Sequence, residues 1–141
     1  MDLPINLLEG HIRRGAILHS VLFVEISHGK FFVVMGITED AVAGFFFINS
    51  NIHPSLYKKP EQLALQYPMR KADYPFLRYD SFLCATNIIT RKRDDLVKSL
   101  RNGYSAIIGE MKPEHLEEIL EAVRASRLFS KYEKDKFFYT E

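Results

Sequence analysis

Phe31-Phe32-Val33-Val34-Met35-Gly36-Ile37, then four residues, then Val42-Ala43-Gly44-Phe45-Phe46-Phe47-Ile48: these two runs decide how the chain folds. Each is seven residues of almost unbroken apolar, β-branched or aromatic character, the composition of a strand buried on both faces. Thr38-Glu39-Asp40 is the polar interruption between them and predicts a turn. Gly36 and Gly44 interrupt side-chain packing inside the runs, which predicts bends or bulges of the kind a small curled sheet needs.

Upstream, residues 17–26 read Ile-Leu-His-Ser-Val-Leu-Phe-Val-Glu-Ile, a further strand that joins residues 31–37 through the tight turn Ser27-His28-Gly29-Lys30. The three strands form an antiparallel meander. Downstream, residues 49–67 carry Pro54 and Pro60 and read as a crossing loop with one helical turn at 61–65. Pro68 and Pro75 restrict residues 65–77 to short or edge strands, because each proline removes a backbone donor.

Residues 82–89 predict another strand, 91–101 a short helix stopped by Asn102-Gly103, and 104–109 a last strand. Beyond it Pro113 opens a helix with Glu114, Glu117 and Glu118 near its positive end. Leu116, Ile119, Leu120 and Val123 recur at helical spacing and form a single apolar stripe that the sheet must cover. The expected architecture is an α+β fold: an antiparallel, barrel-like sheet closed by a C-terminal amphipathic helix. Residues 1–141 read as a single domain, with a tail from about 129 to 141 that alternates aromatic and charged residues and is suited to pack on the domain or on a second copy.

The composition narrows the class. The 141 residues are 47% hydrophobic and 26% charged, the balance of a globular domain rather than of a disordered chain. No apolar run is long enough for a membrane helix and no signal peptide is read at the N-terminus, so a cytoplasmic protein with no membrane partner is expected. Lys and Arg total 19 against 18 for Asp and Glu, so any affinity for nucleic acid must come from a local patch such as Arg70-Lys71 or Arg91-Lys92-Arg93. Cys84 is the sole cysteine and reads as a reduced, buried thiol in a strand. The five histidines show no metal spacing, so neither a metal nor a cofactor is expected.

The order of elements, with Ile48-Asn49-Ser50-Asn51-Ile52 ending the third strand, Tyr79-Asp80-Ser81-Phe82-Leu83-Cys84 after a Pro-rich loop, and Ile108-Gly109-Glu110-Met111 before the last helix, resembles the PemK/MazF-like family. The resemblance covers roughly residues 15–130. It implies a small SH3-like barrel with a C-terminal helix, and a toxin of a toxin-antitoxin pair that cuts RNA without metal. It also implies a homodimer and an antitoxin peptide as partner.

The chain departs from the family's pattern at the site. Gly15 is followed by Ala16 where the family has Gly-Asp, Lys30-Phe31 stands where it has Arg-Pro, and Asn49-Ser50 replaces Thr-Ser. Lysine keeps the charge but loses the planar fork that grips a phosphate through two bonds. Such departures fit cleavage that has been lost or relocated.

Metal-free RNA cleavage needs a base for the 2′-hydroxyl, a cation for the phosphorane and an acid for the leaving oxygen. The sequence offers His28 as base or acid, Lys30 as phosphate cation and Asp80 as the third catalytic candidate, with Asn49 and Ser50 orienting the substrate. Each also has a plain reading: His-Gly-Lys as a hairpin turn, Asp80-Ser81 as a strand-entry cap, Asn49-Ser50-Asn51 as turn chemistry. Two functions are therefore expected in competition: a toxin-like endoribonuclease, or a barrel module that binds a protein segment or nucleic acid without cutting it.

Overall fold

The computed structural model describes residues 10–21 and 29–139. The expected meander is present. Strand β1 (Ala16–Ser20) pairs antiparallel with β2 (Lys30–Ile37), and β2 with β3 (Val42–Asn49), in a register that sets Ile17 against Val33 and Val33 against Phe46. The part of the first expected strand from residue 22 onward, and His28, lie outside the described residues.

A 3-10 turn (Pro54–Lys58) and the short helix α1 (Pro60–Leu63) follow, then the strands β4 (Gln66–Met69), β5 (Ser81–Cys84) and β6 (Ile89–Lys92). Helix α2 (Arg93–Arg101), strand β7 (Ser105–Glu110) and helix α3 (Pro113–Ala125) come next. The short helix α4 (Lys131–Lys134) then runs directly into a π-helical turn (Asp135–Tyr139).

The seven strands make one antiparallel sheet in the order β4-β5-β3-β2-β1-β7, with β6 pairing a second stretch of β3. Among the described residues no ladder joins β4 to β7, so the sheet is open, with these two strands at its ends. Pro68 lies in the end strand β4, where a missing donor is tolerated.

The two apolar runs are continuous because both faces of the sheet are covered. Alternate side chains point to opposite faces. Ile17, Val33, Met35, Phe46 and Ile48 join one core with Ile119, Leu120 and Val123 of α3, and Leu116 packs at its margin. Leu18, Phe32, Val34, Ala43 and Phe45 join a second core, closed by Leu96 and Val97 of α2.

The strand expected at 82–89 is in fact two. β5 and β6 both lie along the free edge of β3, with Leu83 opposite Ile48 and Ile89 opposite Phe45. Residues 84–88 therefore span only Phe46 and Phe47, and the excess is turned out of the ladder, with the Ala85 amide donating to the Leu65 carbonyl at 3.0 Å instead. Residues 91 and 92, expected to open the helix, are the end of β6. α2 starts at Arg93, whose amide donates to Ala41 O at 2.8 Å, with Asp94 and Asp95 in the first turn where the helix dipole favours them.

The tail packs back on the domain. Phe129, Phe137 and Phe138 are buried in the core under α3, while Tyr132 and Tyr139 are exposed. Gly36 and Gly44 are cross-strand partners beside the bulge in the β2–β3 ladder, and together they form the seat of this tail. A Cβ on Gly36 would lie 2.4 Å from the Phe137 carbonyl oxygen, and one on Gly44 would lie 2.5 Å from the Phe137 ring. Arg14 fastens the seat by donating to Met35 O at 2.7 Å and to Phe137 O at 3.0 Å. Arg124 of α3 donates to Phe138 O through Nε at 2.9 Å. The glycines therefore serve both the bulge read from the sequence and a close approach that the sequence did not disclose.

Among the described residues no helix is long and apolar enough to cross a membrane.

Candidate functional site

At the end of the β2–β3 hairpin the sheet meets the loop of residues 70–80, and a cleft of about 220 Å³ opens between them. Its apolar walls are Phe31, Ile48 and Leu77. Ser50, Arg78, Tyr79 and Ser81 supply the polar groups, and Gly29 and Lys30 complete one side.

The loop is anchored at its centre. Tyr74 and Leu77 are buried. The Tyr74 hydroxyl accepts from Lys112 N at 3.0 Å and shares a hydrogen bond with His115 Nδ1 at 2.8 Å, which ties the loop to the start of α3. Burial pushes the Tyr74 hydroxyl above its ordinary pKa, so it stays a protonated partner at neutral pH. His115, in the first turn of α3, is half-buried and makes this bond.

Lys30 and Asn49 are brought together, since the Lys30 ammonium donates to Asn49 Oδ1. It also stands 5.6 Å from the centre of the Phe47 ring. Phe47 packs on the core under α2, so the ammonium is directed to the face of the sheet opposite the one that carries Phe31 and Ile48. Asn49 shares that face. Ser50, one residue further along, lies on the cleft wall instead. The candidate substrate-binding pair is thus split across the sheet.

Asp80 is not on the cleft wall. Its Oδ1 accepts from Lys71 N at 2.8 Å, across the loop rather than at the entry of β5. The cation of the cleft is Arg78, which has no hydrogen-bond or ion-pair partner among the described residues. Arg78 and Tyr79 were not singled out from the sequence as site residues. The available signal was a cation next to an aromatic immediately before Asp80-Ser81, a pair suited to phosphate and base.

His19 belongs to the cleft's surroundings. It pairs with Phe31 across the β1–β2 ladder, and the two ring centres are 4.8 Å apart. A Cβ on Gly29 would lie 2.6 Å from His19 Nε2, so the imidazole abuts the turn that forms one side of the cleft. His53 caps the 3-10 turn, its Nδ1 accepting from Ser55 N at 3.2 Å, and has no part in the cleft.

Cys84, expected to be buried, is half-buried on the Lys30 face, where Gln66 Nε2 donates to its Sγ at 3.5 Å. Burial lowers the Lys30 ammonium below its ordinary value of 10.5, with Cys84 acting in the opposite direction. Between the folded and unfolded values the unfolded chain binds more protons at this residue, so stability rises with pH in that window. Urea denaturation of wild type and Lys30→Met across a pH series is expected to show the difference in unfolding free energy, wild type minus variant, climbing as pH approaches 10.5 and flat near neutrality. A difference that stays level or falls would show that burial does not penalise the charged form.

No protein-family model matches the chain, and no curated protein matches it. What the cleft can do follows from its own chemistry: a guanidinium for a phosphate, a phenol ring for stacking, two hydroxyls for hydrogen bonding, and an apolar floor.

Proposed function

We propose that the protein is a PemK/MazF-like module, with its curled sheet serving as an SH3-like barrel, that binds single-stranded RNA in the cleft between the β2–β3 hairpin and loop 70–80. The observation that carries this reading is the set Arg78, Tyr79, Ser50 and Ser81 gathered around the apolar floor of Phe31, Ile48 and Leu77. Unpaired bases are recognised by stacking on aromatic rings and by hydrogen bonds to their edges, while a neighbouring guanidinium takes the phosphate. A narrow concave site admits a splayed base but not one stacked in a duplex. In a toxin-antitoxin setting the natural partner is an antitoxin peptide, and a homodimer in the cytoplasm is part of the same reading.

A second reading, cleavage of the bound RNA, is favoured by His19. Its imidazole abuts Gly29 and Phe31 at the cleft and supplies the acid–base group that Arg78 and the hydroxyls do not. His28 remains the other candidate from the sequence, with the catalytic role of Lys30 now that of a charge behind the strand.

Fluorescence anisotropy with a labelled single-stranded RNA, competed by duplex RNA, tests binding. Single-turnover incubation of the same RNA with wild type, His19→Ala and His28→Ala tests cleavage. Saturable binding that duplex does not displace, with the RNA left intact, is the expected result. Cutting that either histidine variant abolishes would make the protein a nuclease. Failure of wild type to bind any single strand would end the cleft's assignment to RNA.

A further inference from the structure

We propose that Asp80 is a positioning residue, a latch whose bond to the Lys71 amide holds Arg78 and Tyr79 in place on the cleft wall. The proposal rests on the reading of the cleft as the binding site. Arg78, Tyr79 and Asp80 are three consecutive exposed residues between buried Leu77 and buried Ser81. The first half of the loop is fixed independently of them. The Asp73 and Tyr74 amides both donate to Arg70 O at 3.0 Å, the Leu77 amide donates to Tyr74 O at 3.0 Å, and the Tyr74 and Leu77 side chains are in the core.

The exposed tripeptide has no such support. Among the described residues its hydrogen bonds are two: Ser81 Oγ donates to Tyr79 O at 2.8 Å, and Asp80 Oδ1 accepts from Lys71 N at 2.8 Å. The first is local, spanning two residues. The second joins positions nine apart and closes the loop on itself, so it sets where the two cleft residues stand relative to the rest of the domain. Restricting a short exposed segment before a ligand arrives removes an ordering cost that binding would otherwise bear.

A carboxylate beside a phosphate-binding guanidinium is unfavourable for binding by charge alone. Asp80 is therefore useful to the cleft through its acceptor geometry rather than its charge, and this separates a latch from an electrostatic role. Asparagine keeps an Oδ1 able to accept from Lys71 N; alanine does not.

The test compares Asp80→Ala and Asp80→Asn with wild type, using single-stranded RNA anisotropy, amide hydrogen exchange at Lys71 and thermal unfolding. Asp80→Ala is expected to weaken RNA binding about tenfold, the worth of one such hydrogen bond, and to speed exchange at Lys71 while the melting temperature holds. Asp80→Asn is expected to bind as well as wild type or better and to keep Lys71 protected. Unchanged binding by Asp80→Ala, an equal loss in both variants, or unaltered Lys71 exchange in Asp80→Ala overturns the proposal. Should wild type fail to bind RNA, the assignment of the cleft falls, and exchange at Lys71 still decides whether the latch exists.

Discussion

Phe138→Ala is expected to lower the unfolding free energy by about 3–5 kcal/mol, the usual cost of deleting a fully buried aromatic side chain. Phe138 has no exposed surface. Its ring meets Phe129 edge-on at 5.0 Å between centres and Phe46 at 6.0 Å, so truncation leaves a void between the tail and the sheet. The backbone around it is fixed by Arg124 on its own carbonyl and by Arg14 on that of Phe137, which limits how far the site can collapse. Urea denaturation of the variant measures the loss. Tyr132→Ala, six residues earlier but 68% exposed, is the matched control and should cost less than about 1 kcal/mol. Equal effects from the two substitutions would mean that the tail is not part of the core.

Arg78→Ala is the variant that should most affect RNA. Loss of a hydrogen-bonded charge pair is worth about 1.5–3 kcal/mol, so affinity for a single strand should fall roughly 10- to 100-fold. The logarithmic salt dependence of binding should become shallower by about 0.7, the signature of one fewer phosphate neutralised on a single strand. Arg91→Ala, in β6 opposite Ala43 and away from the cleft, should leave both quantities near wild type. Anisotropy titrations at several salt concentrations give both numbers. A weaker affinity with an unchanged salt slope would indicate that Arg78 acts through the shape of the loop and not on a phosphate.

Much of the fold is legible because it is written in local periodicity. The runs at 31–37 and 42–48 have the unbroken apolar bulk of a doubly covered hairpin, and the spacing of Leu116, Ile119, Leu120 and Val123 fixes which side of α3 meets it. The division of β5 from β6 is a matter of register against β3, a long-range fact that no window of sequence carries. The seat of Phe137 on Gly36 and Gly44 is of the same kind.

The candidate site was legible only in part, for a reason that strand geometry makes plain. Successive residues of a strand face opposite ways. Asn49 and Ser50 are successive, so their separation to two faces follows from the alternation that placed Phe46 and Phe47 in different cores. Lys30 goes with Asn49 by the same rule. Arg78 and Tyr79 sit in a loop whose path depends on Tyr74 reaching Lys112 and His115, partners 38 and 41 positions away.

The paired glycines under Phe137 also bear on the order of assembly. The β2–β3 hairpin joins neighbouring segments and can form early, whereas the residues that cover it arrive from about ninety positions further along the chain. Pairings of such separation form slowly because the intervening chain must first be closed. In the interval Phe46 and a gap in the sheet surface stand open to water, so the nascent protein has a stage at which a chaperone, or a neighbouring copy at high concentration, competes with its own tail for the same apolar ground.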